Sequence, residues 1–124
     1  MRTAYRCQAS ATPEEAIQKA IFEHYKIRGR EGAVMFHVPN GGHRSKRTAA
    51  NLKAQGVQAG APDIVCCIDG RFYGPETKSE AGNVTKTQRE FGLRLQNAGG
   101  EYHVAPGLDQ ALDYLEEWGV LEPR

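Results

Sequence analysis

The spacing of apolar residues along this chain changes period several times, and each change marks a predicted element. Residues 1–11 show no periodicity and are expected to form a loose arm. Thr12-Pro13-Glu14-Glu15 reads as a helix start, with Thr12 as N-cap, Pro13 at the first helical position and Glu15 closing a capping box. Ile17, Ala20, Ile21 and Tyr25 then recur at helical spacing, which predicts a helix to about Lys26 with that stripe buried. Glu14, three residues before Ile17, falls on the buried side. Val34-Met35-Phe36-His37-Val38 is a short apolar run ended by Pro39-Asn40-Gly41-Gly42, hence a strand and then a loop. From Ser45 to about Gln55 the residues are good helix formers, and Gly56 is a stop.

A Gly- and Pro-containing connector, 56–62, delivers the chain to Asp63-Ile64-Val65-Cys66-Cys67-Ile68, an apolar strand closed by the hairpin signal Asp69-Gly70. Arg71 to Lys78 is its expected antiparallel partner. Thr85 and Gln88 form a second capping box, opening a helix with Phe91 and Leu95 on one stripe, Leu93 alongside, and a stop at Gly99-Gly100. Glu101 to Ala105 is a further strand. Leu108, Ala111, Leu112 and Leu115 mark a last amphipathic helix, near Asp109 to Trp118. The order helix, strand, helix, strand hairpin, helix, strand, helix describes an α/β sandwich, a mixed sheet flanked by helices.

Length and composition narrow this only a little. The 124 residues give one domain with a modest core. No run is long enough to span a membrane, and the N-terminus lacks the apolar core of a signal peptide, so a cytosolic protein is expected. Cys7, Cys66 and Cys67 fit neither a disulfide framework nor a zinc site, and the adjacent pair reads as small buried strand residues. The net charge of +1 is uninformative, but its distribution is not. Between Glu31 and Asp63 there is no acidic residue, while Arg44, Lys46, Arg47 and Lys53 all fall there; the stretch from Asp109 to Glu122 is acidic. The basic middle is a candidate phosphate-contacting face, or simply a solvated one.

The candidate chemistry lies on the hairpin. Glu76 and Lys78 are two apart on one strand and project to the same face, with Thr77 on the other. Pairing about Asp69-Gly70 sets opposite one another residues whose numbers add to about 139, which puts Glu76 across from Asp63. Two carboxylates so placed repel unless a cation lies between them. Mg²⁺ takes such oxygens and keeps positions for water and phosphate. Lys78 is placed to orient or help deprotonate the attacking water, so the set is equipped for phosphodiester hydrolysis. Glu14 can add a third carboxylate. On spacing alone two plainer readings stand beside it: Asp63 satisfying backbone N–H groups at a strand start, and Glu76 with Lys78 forming a solvated strand face.

The surroundings add to that reading. Pro62-Asp63 followed by Glu76-Thr77-Lys78 resembles the PD-(D/E)xK nuclease signature. Pro39-Asn40-Gly41-Gly42-His43-Arg44, Leu52-Lys53-Ala54-Gln55-Gly56-Val57 and Gly60-Ala61-Pro62-Asp63-Ile64 resemble the virus-type replication-repair nuclease (VRR-NUC) domain, from about residue 13 to residue 116. That resemblance implies a restriction-endonuclease-like α/β/α sandwich, dependence on Mg²⁺ or Mn²⁺, and cleavage of DNA. It implies metal binding by Asp63, Glu76 and the backbone carbonyl of Thr77, with Glu14 as the helix acid, Lys78 as the catalytic lysine and Gln88 as a polar support. It further implies a homodimer acting on branched DNA such as four-way junctions. Asn40, Gly41, Gly42, His43, Arg44, Lys46, Arg47 and Lys53 become the expected DNA contacts; for His43 a plain surface role stands beside that of phosphate ligand. Pro75 departs from the family pattern and predicts an irregular or bulged strand, since it cannot donate to a ladder. Thr77 departs in replacing an aliphatic residue. His37 and His103 read as structural, and His24 is uncommitted. The competing readings are a non-catalytic DNA-binding module of the same fold and a structural subunit of a larger assembly.

Overall fold

The computed structural model describes residues 13–39 and 45–124. Thr12, expected as a helix cap, the arm 1–11 and the segment Asn40 to Arg44 lie outside the described residues. Helix α1 spans Pro13–Arg28. Strand β1 (Val34–His37) and helix α2 (Lys46–Ala54) come next, then β2 (Ile64–Ile68) and β3 (Arg71–Lys78), and finally α3 (Lys86–Asn97), β4 (Glu101–Pro106) and α4 (Leu108–Glu117). Local chemistry sets most of these limits. Ser45 accepts from the Thr48 amide to start α2. Thr85 and Gln88 form the reciprocal capping box of α3. That helix ends as a Schellman motif: the Gly99 amide donates to Gln96 at 3.0 Å and the Gly100 amide to Leu95 at 2.9 Å, with Gly99 at φ 99°. Asp69 and Gly70 both take positive φ, 53° and 75°, as a two-residue type I′ turn demands.

The sheet order is β1-β2-β3-β4, antiparallel in the first two pairs and parallel in the last, so the sheet is mixed as expected. The hairpin pairs Ile68↔Arg71, Cys67↔Phe72 and Cys66↔Tyr73, which is the register the turn dictates. Pairing with β2 stops there, whereas β3 stays in register with β4 as far as Lys78↔Pro106. Pro75 explains the difference. Backbone groups of alternate strand residues face opposite neighbours, and the Lys78 carbonyl accepts from Gly107 at 2.7 Å on the β4 side. The Pro75 nitrogen therefore faces β2, where it has no hydrogen to give. The strand is not bulged; its registered pairing with β2 stops at Cys66↔Tyr73, although β2 itself reaches back to Ile64, next to Asp63.

Helices α1 and α4 cover one face of the sheet. Ile21, Ala111, Leu112 and Leu115 meet Met35, Ile64, Cys66, Ile68, Tyr73 and Ala105 in a single core. Val120 and Leu121, beyond α4, are fully buried in the same core. They are held by an exchange with the end of α1: the Glu122 amide donates to Arg28 and the Arg30 amide to Val120, both at 2.8 Å. The acidic end pairs locally, with Arg28 Nη1 2.7 Å from Glu116 and Arg124 Nε 3.0 Å from the same carboxylate.

The opposite face is covered in part. Helix α3 lies over β3 and β4, and Gly92 is needed there, since a Cβ would fall 2.4 Å from the Tyr102 ring. Val34, Phe36 and Phe72 remain 54, 49 and 39 % exposed. The register sets them on that same face with Val65 and Cys67. Adjacent strand residues face opposite ways, so Cys66 is buried and Cys67, contrary to expectation, is exposed. Leu93 points away from the protein as well, at 57 %.

Candidate active site

Asp63 sits one residue before β2 and is fixed by its backbone. Its carbonyl accepts from the Val38 amide at 2.7 Å and from His37 Nδ1 at 2.9 Å. Pro62 before it is buried against β3, where a Cβ on Gly74 would come within 2.8 Å of the proline ring. A glycine at 74 thus lets the connector approach the strand. Glu76 and Lys78 follow on the same face as Gly74 and are 2 and 7 % exposed, while Thr77 faces the core side. By the alternation that turns Pro75 toward β2, the Thr77 carbonyl also faces β2, beyond its last registered pair.

Burial of this polar set has an electrostatic signature. The Glu76 carboxyl is pushed up to about 7, first by burial; the Lys78 charge works against the rise, and the Asp63 and Glu14 charges add to it. Asp63 is also raised, again first by burial, with His37 and Lys78 restraining it and Glu14 adding to it. Glu14, Asp63, Glu76 and Lys78, from three parts of the chain, therefore share one field, and His37 from a fourth acts on Asp63. Gln88 Nε2 donates to Glu76 Oε2 at 3.2 Å. The same side chain's Oε1 accepts from the Thr85 amide at 2.9 Å to cap α3. Glu76 Oε1 is buried with no hydrogen-bond partner. An unpaired carboxylate oxygen in the interior is costly, and a cation would satisfy it.

Asp63, Glu76 and the Thr77 carbonyl would offer a divalent ion oxygen donors only, the kind a hard cation takes. Glu14 stands at the edge of the site, where a Cβ on Gly82 would lie 3.2 Å from its Oε2. Among the described residues no three His, Cys, Asp or Glu side chains are grouped closely enough to hold a metal ion. The geometry thus brings two carboxylates, a lysine and a glutamine together, and gives Glu14 a part through its charge.

Of the expected DNA contacts, Asn40, Gly41, Gly42, His43 and Arg44 lie outside the described residues. Lys46, Arg47 and Lys53 are exposed on α2, none of whose residues is buried. An open groove of about 680 Å³ separates that helix from α3, lined by Val38, Leu52, Val57, Phe91 and Leu95 among others. His103 is structural: it stacks on Tyr114 at 5.1 Å and contacts Glu101 at 3.2 Å. His24 accepts from Arg28 Nε at 3.0 Å, and burial lowers its pKa. His37 supports the Asp63 backbone from an exposed position, a role its place in a strand does not reveal. Gly92 and Tyr102 also escape sequence reading, although a glycine in a helix interior is a signal of close approach.

A solved structure described as a VRR_NUC domain protein is similar to this chain, with a TM-score of 0.72 and 24 % identity over 87 % of this chain and 88 % of that one. No family model and no curated protein sequence matches. The likeness is one of fold: this chain has the mixed α/β architecture of the VRR_NUC domain, as the Asn-Gly-Gly and Gly-x-Pro-Asp motifs implied. Among the described residues no helix is long and apolar enough to cross a membrane.

Proposed function

We propose that this chain is a divalent-metal-dependent endodeoxyribonuclease. The observation that carries the reading is the buried Glu76 carboxylate, with one oxygen held by Gln88 and the other free, beside Asp63 and Lys78. Asp63, Glu76 and the Thr77 carbonyl would hold Mg²⁺ or Mn²⁺. The bound ion supplies Lewis-acid polarisation of phosphate and activation of water. Lys78 places an ammonium group on the same face, where it offsets the charge that gathers on the phosphoryl oxygens during in-line attack. Gln88 fixes the rotation of the Glu76 carboxylate. Glu14, at the site's edge, accepts a hydrogen bond from the attacking water. Lys46, Arg47 and Lys53, with the segment Asn40 to Arg44, contact the DNA backbone without reading sequence.

The substrate we propose is branched DNA, four-way junctions in particular, cut in the cytosol by a homodimer. A two-fold pair of sites suits symmetric cutting of two strands. The apolar surface of Val34, Phe36 and Phe72, left in water by one copy, supports such a pair.

A panel of four-way, flap, nicked and linear duplex DNAs, incubated with Mg²⁺ and with Mn²⁺ at fixed salt, tests the reading. Cleavage that is highest on the junction, stops with chelator and is absent in Asp63→Ala is the expected result. DNA binding with no cleavage of any substrate under either metal would overturn it in favour of a non-catalytic binding module.

A further inference from the structure

Three buried side-chain atoms among the described residues have no hydrogen-bond partner: Arg28 Nη2, Glu76 Oε1 and the hydroxyl of Tyr102. Arg28 belongs to the contacts at the C-terminal end. The other two lie on one face of the sheet. Strands β3 and β4 pair Gly74↔Tyr102 and Glu76↔Val104, so Tyr102 stands one diagonal step from Glu76 with its side chain on the same side.

The ring is clamped. Gly92 of α3 lies against its Cγ, Cδ2 and Cε2, leaving no room for a Cβ, and Tyr102 is 8 % exposed. A phenylalanine would fill that slot equally well, so the hydroxyl calls for its own explanation. Burial raises the phenol to about 12, and the charged groups that reach it are Glu76, which raises it, and Arg89, which lowers it. Arg89 lies one turn before Gly92, beside Gln88, at the end of α3 that holds Glu76. The phenol stays protonated there and is a donor. A buried donor near a buried acceptor is commonly joined to it through one water.

We infer that Tyr102 is a positioning residue for Glu76: its hydroxyl reaches the back of the carboxylate through a buried water, and with Gln88 it fixes the orientation in which Glu76 meets a divalent cation. This rests on the metal-site reading above. Groups that orient a metal ligand from behind commonly change metal affinity by ten- to a hundredfold when removed.

Tyr102→Phe in the full chain keeps the ring and removes only the hydroxyl. Titrating Mn²⁺ calorimetrically without DNA, the expected result is an affinity about tenfold weaker than wild type, with the melting transition retained. Gln88→Ala should weaken binding comparably, and the double variant should lose less than the product of the two, because both act on one carboxylate. Wild-type Mn²⁺ affinity in Tyr102→Phe overturns the inference, as does a loss that vanishes when the proteins are compared at equal folded fraction. If the wild type binds Mn²⁺ and the Phe variant matches it, this inference alone fails. If the wild type binds no Mn²⁺ and cuts no DNA, the metal-site reading fails with it.

Discussion

Between α1 and α4 on one side of the sheet and α3 on the other, the same four strands carry two different kinds of surface. On the α1 and α4 side, Ile21, Ile64, Cys66, Leu112, Leu115, Val120 and Leu121 are almost or wholly removed from water and apolar throughout. On the α3 side, Glu76 and Lys78 are buried while Val34, Phe36 and Phe72 are left exposed. The first face follows the rule of apolar inside and stabilises the fold. The second inverts it at both ends, burying charged groups at one and leaving apolar side chains in water at the other. Substitutions should therefore separate into those that weaken folding and spare the site, and those that do the reverse.

The largest separation is expected at Asp63. Asp63→Asn should lower single-turnover DNA cleavage by about a thousandfold or more. Its metal-free melting temperature should be unchanged or higher, because a raised carboxyl leaves the crowded site. Lost stability in that variant would show that the two faces are not separable. Leu115→Ala, on the closed face, should cost about 3 kcal/mol in urea unfolding while each folded molecule cuts at the wild-type rate.

Glu76→Gln sharpens the contrast through pH. The folded carboxyl holds its proton up to about pH 7, against a reference value of 4.5, so between those values the folded chain binds more protons than the unfolded one. Metal-free wild type should lose stability as pH rises through that window, by on the order of 3 kcal/mol, and stay level above it. Glu76→Gln should abolish most of that slope, read from urea melts at pH 4.5 and 8. A similar slope in both proteins would assign it elsewhere.

Smaller effects test the edges of the open face. Gly92→Ala, which would stabilise an ordinary helix by about 1 kcal/mol, should here destabilise by about 1–2 kcal/mol, because the added carbon meets the Tyr102 ring. Phe36→Ser should change the unfolding free energy of a single copy by less than about 0.5 kcal/mol. Its effect should instead appear in sedimentation, as a shift from two copies toward one.

What could be read from the sequence divides along similar lines. The hairpin, its register and both capped helices α2 and α3 were legible because each depends on residues within a few positions: Asp69-Gly70 fixes the pairing of Cys66 with Tyr73, and Thr85 with Gln88 starts a helix wherever it sits. A two-residue turn and a period of two also set Asp63, Glu76 and Lys78 near one another, whereas the place of Gln88 beside them was implied only by the family resemblance. Helix α1 runs two residues past the expected end because Arg28 finds Glu116, a partner 88 positions away that no local pattern reveals. The burial of Val120 and Leu121 was hidden likewise, in an acidic, seemingly solvated tail. Pro75 did not make the strand irregular or bulged as expected: β3 stays in register with β4 throughout, and only the pairing with β2 stops before it, a choice of neighbour that needs the parallel strand β4.

Gln88 has a further consequence. One end of its amide closes the first turn of α3, and the other holds the Glu76 carboxylate. Order in that turn and order at Glu76 are thus two views of one equilibrium, and linkage makes the dependence mutual. Whatever steadies the carboxylate must also slow hydrogen exchange at the amides of Arg89 and its neighbours, so the start of a helix serves as a gauge of how completely the centre beside it is assembled.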